Sequence, residues 1–304
     1  AACPKFSYRA TAKNTCNCLS VMPVPYPQVQ LFNYSIRYIK FISISLMPVS
    51  WQIRKQTTTE ESIMLQSIRS FFRAVPTPLA GLALGIASLG MGIEKSLPLH
   101  NVGQVLGALT SMTLTLLLAG KFALNPRLLV EELRHPVLGS ILPTIAMALM
   151  LQSKSLSIVD ARAAQSLWLF AVGLHLCLLL AFVVFRIRQF SLNHMVPSWF
   201  VPFVGISVAA MTVPNPKYYS LAYGLMVFGM LSYLALLPVM LYRLIFAKEI
   251  DDASKPTIAI LAAPASLSLV AYLSLETAPS LLLCSMLLGV AVLMTSIIYV
   301  AFFK

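Results

Sequence analysis

The sequence predicts an all-α integral membrane protein, with kinked inner helices alternating with straight outer helices in hairpin repeats around a central pore. Three observations carry that expectation. Of the 304 residues 58% are hydrophobic and only 11% charged, with a mean hydropathy of +0.82, whereas a soluble domain is about 25% charged. From Pro76 onward, eight apolar segments recur between short polar breaks, most of them near the roughly 20 residues a bilayer crossing needs. Proline and glycine concentrate in every second segment.

Residues 1–63 are a different text: they carry lysine and arginine but no acid until Glu60, several prolines and no sustained helical period. The basic, acid-poor composition is that of an organelle transit segment. Met64, however, opens "MLQSIRSFFRAVPTPLAG", which reads as a natural start, a short basic amphipathic arm leading into a span. Residues 1–63 are therefore expected to be a non-native or disordered extension, and residues 64–304 one transmembrane domain.

The spans are expected near Pro78–Ile93, Val102–Phe122, Val137–Leu151, Ala163–Phe185, Trp199–Val213, Tyr219–Phe246, Thr257–Leu275 and Pro279–Phe303. The first holds Pro78, Gly81, Gly85, Gly90 and Gly92; the third Pro143; the fifth Pro202 and Gly205; the seventh Pro264. Even spans are richer in leucine, valine and phenylalanine, with Pro238 in the sixth as the exception. An interior proline costs about 3 kcal/mol in water, and at membrane depth a freed carbonyl must be covered by protein or face a water-filled cavity. Small polar residues accompany the breaks: Ser88, Ser140, Thr144, Ser207, Ser266 and Ser268. Taken singly, each glycine or proline reads as ordinary small-residue packing, since Gly81/Gly85 and Gly103/Gly107 both form GxxxG pairs. Four spans in alternation point instead to an inner pathway bordered by Gly85, Ser88, Pro143, Thr144, Pro202, Gly205, Pro264 and Ser266.

The net charge of +12 is distributed by topology. With the amino-terminal side of the first span cytoplasmic, eleven lysines and arginines of the membrane domain fall inside and only Lys95, Lys154, Arg162 and Lys217 outside. That asymmetry follows the positive-inside rule, argues for a multi-pass protein of the inner (plasma) membrane, and excludes a nucleic-acid partner as the reason for the basic pI.

The five cysteines, Cys3, Cys16, Cys18, Cys177 and Cys284, show no metal or disulfide spacing. No HExxH, GxSxG, phosphate loop or carboxylate pair is present, so neither an enzyme nor a cofactor is indicated. Every acid of the membrane domain lies in a loop or at a span end; His175 alone sits deep, on an even span. Intramembrane ionisable groups mark proton relays, but a lone histidine among leucines is more often hydrogen-bonded packing. A pathway with hydroxyls, no acids and half-helix amino termini at Pro143, Pro202 and Pro264 favours anions.

The odd-span motifs "HPVLGSILP", "PSWFVPFVG" and "APASLSLVAYLSL", with the approach "VPTPLAGLALGIASLG", resemble the tellurite-resistance/dicarboxylate transporter family over Pro76–Lys304. That family includes the bacterial protein TehA, the fungal malate permease and the slow anion channels of plant guard cells. The resemblance implies ten spans in five hairpins, odd helices enclosing a pore, homotrimers with one pore per protomer, and small inorganic or organic anions, such as chloride, nitrate, dicarboxylates or oxyanions, as the partners. The family's pore-occluding phenylalanine lies on a ninth span. The chain ends after the eighth, so no residue inherits that gate and the last hairpin is expected to be missing. Two other readings stay open: a proton-coupled exporter of dicarboxylate, sulfite or tellurite in which His175 titrates, and an inactive fragment that only packs in the membrane.

Overall fold

The computed structural model describes residues 64–302 apart from 98, 189 and 248–251. The chain divides into two units, Ala1–Met64 and Leu65–Lys304; the expectation for residues 1–63 lies outside the described residues, and the membrane helices lie in the second unit. Among the described residues every regular element is helical, as the composition predicted.

A basic arm, α1 (Met64–Ala74), meets α2 (Leu79–Ser96) at a 67° bend. The bend falls where Pro76 and Pro78 remove two backbone donors. A tight turn with His100 and Asn101 at positive φ leads into α3 (Val102–Leu124). The Glu94 carboxylate accepts from the backbone N–H groups of Asn101 (2.7 Å) and Gly103 (3.1 Å), satisfying orphan donors at the start of α3. A short amphipathic helix, α4 (Pro126–Arg134), starts on proline at its first turn and ends at His135. His135 precedes Pro136 and adopts extended dihedrals, φ −76° and ψ 130°, as sterics before proline demand. The chain thereby turns 108° into the third span.

That span is broken. α5 (Leu138–Ile141) and α6 (Thr144–Leu156) are separated at Leu142 and Pro143, Pro143 serving as the N-cap of α6. The fourth span is one unbroken helix, α7 (Ala161–Ile187), capped by Asp160, whose side chain accepts from the N–H groups of Arg162 and Ala163. The fifth, Pro197–Thr212, is the shortest: a 3-10 turn Pro197–Trp199, α8 (Phe200–Val204), a second 3-10 turn Gly205–Ser207 and α9 (Val208–Thr212). The sixth, α10 (Tyr219–Phe246), runs through Pro238 without interruption. The seventh begins as the 3-10 segment Asp252–Ala262 and becomes α11 (Ala263–Leu275), and the eighth is α12 (Leu281–Phe302).

Five of these elements are long and apolar enough to cross a bilayer on their own, and two more pass as bent pairs; the fifth span is a shorter apolar helix. The expected boundaries of all eight segments are recovered to within a few residues.

Packing sets the third and fifth spans apart, whereas the first and seventh expose Leu82, Leu89 and Leu273. Each odd span packs on the even span that follows it, and the odd spans also pack in order, first on third, third on fifth and fifth on seventh. No residue of Leu138–Leu156 or of Pro197–Thr212 is exposed. The even spans present large apolar side chains outward, among them Leu109 and Leu116 on α3, Phe170 and Leu180 on α7, and Leu231 and Leu234 on α10. A core cluster centred on Met147, Met150, Trp168 and Ile206 ties the third, fourth and fifth spans together, with Leu84 and Leu267 reaching it from the first and seventh. Cys177 faces outward on α7, while Cys284 is half-buried.

Candidate functional site

The two GxxxG pairs have different surroundings. A Cβ on Gly90 would lie 2.6 Å from the Gly103 carbonyl oxygen and 2.9 Å from Gly107 Cα. The absence of side chains there therefore brings α2 and α3 into backbone contact, so Gly103/Gly107 is a packing motif. Gly81 and Gly85 have nothing within 4 Å. With Ser88 and Gly92 they form an exposed stripe of small residues along the face of α2 turned away from the core. Ser88 Oγ donates to the Leu84 carbonyl at 2.8 Å.

At the third span, Pro143 and Thr144 are buried, and Thr144 Oγ1 donates to the Ile141 carbonyl at 2.7 Å, across the break. Proline at an N-cap costs nothing, because the N–H groups at a helix start have no intrahelical partner. In the fifth span Pro202 and Gly205 are likewise buried. The interruption falls at the 3-10 turn Gly205–Ser207, three residues beyond Pro202, which lies within the first turn of α8. Gly205 is held by fit: a Cβ there would lie 2.6 Å from Met147 Sδ and 3.4 Å from His175 Cε1.

Pro264 shows the same economy. It occupies the first turn of α11, directly after the 3-10 segment, and is buried, whereas Ser266 is exposed and donates to the carbonyls of Ala262 (3.2 Å) and Ala263 (2.9 Å). The proline expected to kink an otherwise continuous helix instead marks where 3-10 geometry gives way to α. Consecutive spans are antiparallel, so the longer α-segments α6 and α11, which begin at these breaks, point their amino termini to the same side of the bundle.

His175 on α7 is fully buried, and its Nε2 lies 3.0 Å from the Pro202 carbonyl oxygen, with the Pro143 backbone as a second polar neighbour. It therefore bridges an even span to the broken region of the third and fifth spans. Ser140 and Ser198, both fully buried, join hydroxyls at 2.6 Å across those two spans. The eight candidate residues thus divide: Gly85, Ser88 and Ser266 lie on exposed faces of the first and seventh spans, while Pro143, Thr144, Pro202, Gly205 and Pro264 are buried at the interruptions.

Two polar clusters were not anticipated. Lys121, near the carboxyl end of α3, is buried; its Nζ pairs with Glu132 Oε1 at 2.6 Å and donates to Thr77 Oγ1 at 2.8 Å, and Thr77 Oγ1 donates to Glu132 Oε2 at 2.6 Å. This triangle locks the approach to α2, the end of α3 and the amphipathic α4. In the second cluster, Gln152 Nε2 donates to Ser111 Oγ (2.8 Å) and Thr115 Oγ1 (3.0 Å), joining α6 to α3. The i, i+4 placement of Ser111 and Thr115 in an apolar segment was the signal for the second; a lysine beside a span end gave none for the first.

No group of three or more histidine, cysteine or acidic side chains able to hold a metal ion occurs among the described residues. Nearby acids do other work: Glu94 and Asp160 cap helices, and Glu132 is paired.

An all-helical bundle whose third, fifth and seventh spans break or change helix type at interior prolines and glycines, while the first runs unbroken from Leu79 to Ser96, defines a multi-pass membrane protein. The chain belongs to the SLAC1 family, described as voltage-dependent anion channel, whose profile matches residues 76–304. It is also similar to two proteins of Methanocaldococcus jannaschii named as uncharacterized transporters. One, MJ0762, is 30% identical over 164 residues, 49% of this chain and 48% of the relative. The other, MJ0576, is 30% identical over 160 residues, 48% of this chain and 46% of the relative. The chain spans about half the length of these curated relatives.

Proposed function

We propose that the protein passes small anions across the membrane along a path bordered by its odd-numbered spans. The observation that carries this reading is the set of interior α-helix starts at Thr144 and Ala263, two 13-residue segments whose amino termini point the same way. Helix amino termini carry partial positive charge, and in broken membrane helices such ends favour anionic groups. Among the described residues no aspartate or glutamate lies between Leu138 and Leu156, Pro197 and Thr212 or Ala263 and Leu275, so no carboxylate on these segments attracts a cation. Membership of a family described as anion channel supports the same reading.

Within this proposal Gly85, Ser88 and Ser266 touch the path directly. Pro143, Thr144, Pro202, Gly205 and Pro264 shape the interruptions from behind. His175 is a structural bridge to the Pro202 carbonyl, and the protein is a passive conductor of chloride-like anions or small carboxylates, an assembly of three protomers in the inner membrane with the α1 side cytoplasmic. No covalent chemistry takes part.

Reconstitution in liposomes tests the reading. Chloride, nitrate or malate flux driven by an imposed potential is expected, without a pH gradient. Potassium-selective current would overturn the anion assignment. Uphill transport that needs a proton gradient and stops in His175→Ala would replace the passive path with a coupled carrier.

A further inference from the structure

A cavity of about 470 Å³ lies between the arm α1 and the start of α4, lined by Arg69, Arg73, Asn125, Arg127 and Glu131 with apolar neighbours. That volume lies within the range of small-ligand sites, about 300–1,000 Å³. Three guanidinium groups face one carboxylate, and all four residues are exposed. Among the described residues, no ion pair or hydrogen bond engages the side chains of Arg69, Arg73 or Arg127. The cavity also receives the start of the nine-residue helix α4, whose N-cap, Asn125, makes no side-chain capping bond. The Asn125 side chain donates instead to the carbonyls of Lys121 (3.3 Å) and Arg69 (3.5 Å), fastening the two walls together.

Its depth follows from α1. Met64, Ile68 and Phe71, at helical spacing i, i+4 and i+7, are exposed along one face, 59%, 39% and 64% respectively. Phe72 sits on Gly120, where a Cβ would come within 2.4 Å of its ring and displace it. α1 is therefore pinned to α3 with an apolar stripe turned outward and Arg69 and Arg73 turned into the cavity. A basic helix with such a stripe lies in the plane of the headgroups, its apolar face in the acyl boundary.

We infer that this cavity is a binding site for the phosphate of an anionic phospholipid headgroup in the leaflet on the α1 side. Guanidinium forks match phosphate oxygens bidentately, and at the start of α4, where Pro126 has no N–H and the Leu128 N–H donates to the Asn125 carbonyl, the Arg127 N–H is left to add a backbone donor. The site is separate from the odd-span breaks and does not depend on which ion the protein passes.

The test compares the protein in nanodiscs of phosphatidylcholine alone and with phosphatidylglycerol, reading retained lipid by native mass spectrometry and stability by thermal unfolding. Wild type should retain phosphatidylglycerol and gain stability from it. The triple variant R69Q/R73Q/R127Q should bind on the order of a hundredfold more weakly, since each basic side chain at an anionic surface is worth about a factor of five. R162Q should bind like wild type. Glu131→Gln, which removes the one carboxylate from the lining, should bind about fivefold tighter, and this gain is readable even if the triple variant fails to fold. Unchanged lipid binding in both R69Q/R73Q/R127Q and Glu131→Gln overturns the site. Equal protection by inorganic phosphate in detergent, with the same arginine dependence, overturns the lipid assignment in favour of a soluble anion.

Discussion

Lys121 is a charge that the membrane-facing surface does not see. Its Nζ is held by Glu132 and Thr77, and it is 4% exposed. Removing one partner of a buried pair leaves an uncompensated charge and costs about 3–5 kcal/mol, whereas replacing both is far milder. Lys121→Met should therefore lower the thermal stability of the detergent-solubilised protein markedly, and Lys121→Met with Glu132→Gln should recover most of the loss; equal losses in the two would show that the pair is not coupled. His175 supports a gentler expectation. His175→Leu keeps bulk but abandons the Pro202 carbonyl, a penalty of about 1–3 kcal/mol, visible as a lower unfolding temperature while potential-driven anion flux persists. The burial of His175 and its contact with the Pro202 carbonyl fit the packing reading that its isolation among leucines suggested. Lys121 was not, because its partners stand 44 and 11 residues away in sequence, and only the turn into α4 brings them together.

Among helices, glycine reports two different things, and substitution separates them. Gly90→Ala drives a methyl into the backbone of α3, where overpacking costs about 1–3 kcal/mol, so the variant should unfold earlier. Gly85→Ala meets nothing within 4 Å. It should leave stability unchanged or slightly raised and, if Gly85 borders the path, reduce flux; a matching fall in stability would place Gly85 in a packed interface instead. The breaks in the third, fifth and seventh spans were legible because proline and glycine content is a local signal, whereas the glycine-rich first span, expected to be kinked, is continuous over Leu79–Ser96. The site of each interruption was less so. Pro264 falls at a helix start and the fifth-span break at Gly205, since a missing N–H matters only where a donor would otherwise be needed.

For the molecule as a whole, the distribution of arginine and lysine fixes an expected orientation. On a background without native cysteines, Lys217→Cys should react with a membrane-impermeant maleimide added to intact cells, and Arg127→Cys only after lysis. The reverse pattern would invert the topology and move the α1 cavity to the opposite leaflet. Several of the charges that set this bias also serve the fold: Arg186 donates to the Arg134 carbonyl at the end of α4, and Arg243 to that of Asn193, in the turn Leu192–His194, at 3.2 Å. Family and helix class were legible from composition and short motifs. The neighbour relations, first on third, third on fifth and fifth on seventh, required tertiary packing that no single segment encodes.

The fifth span is short by residue count, yet its 3-10 turns act as a length gauge. With six residues in 3-10 turns and ten in α-helix, at about 2.0 and 1.5 Å of rise each, it extends about 27 Å, where a pure α-helix of the same length would extend about 24 Å. That brings it close to the roughly 30 Å hydrocarbon thickness without adding a side chain to an already filled centre. The same geometry makes the segment intolerant of indels: one residue removed from either 3-10 turn shortens it by about 2 Å and rotates everything beyond by about a third of a turn. Such a deletion would carry Ser207 and Thr212 out of register with their neighbours. Single-residue deletions at 197–199 or 205–207 should therefore abolish folding, whereas the linker at 214–217, half-buried to exposed, should accept them.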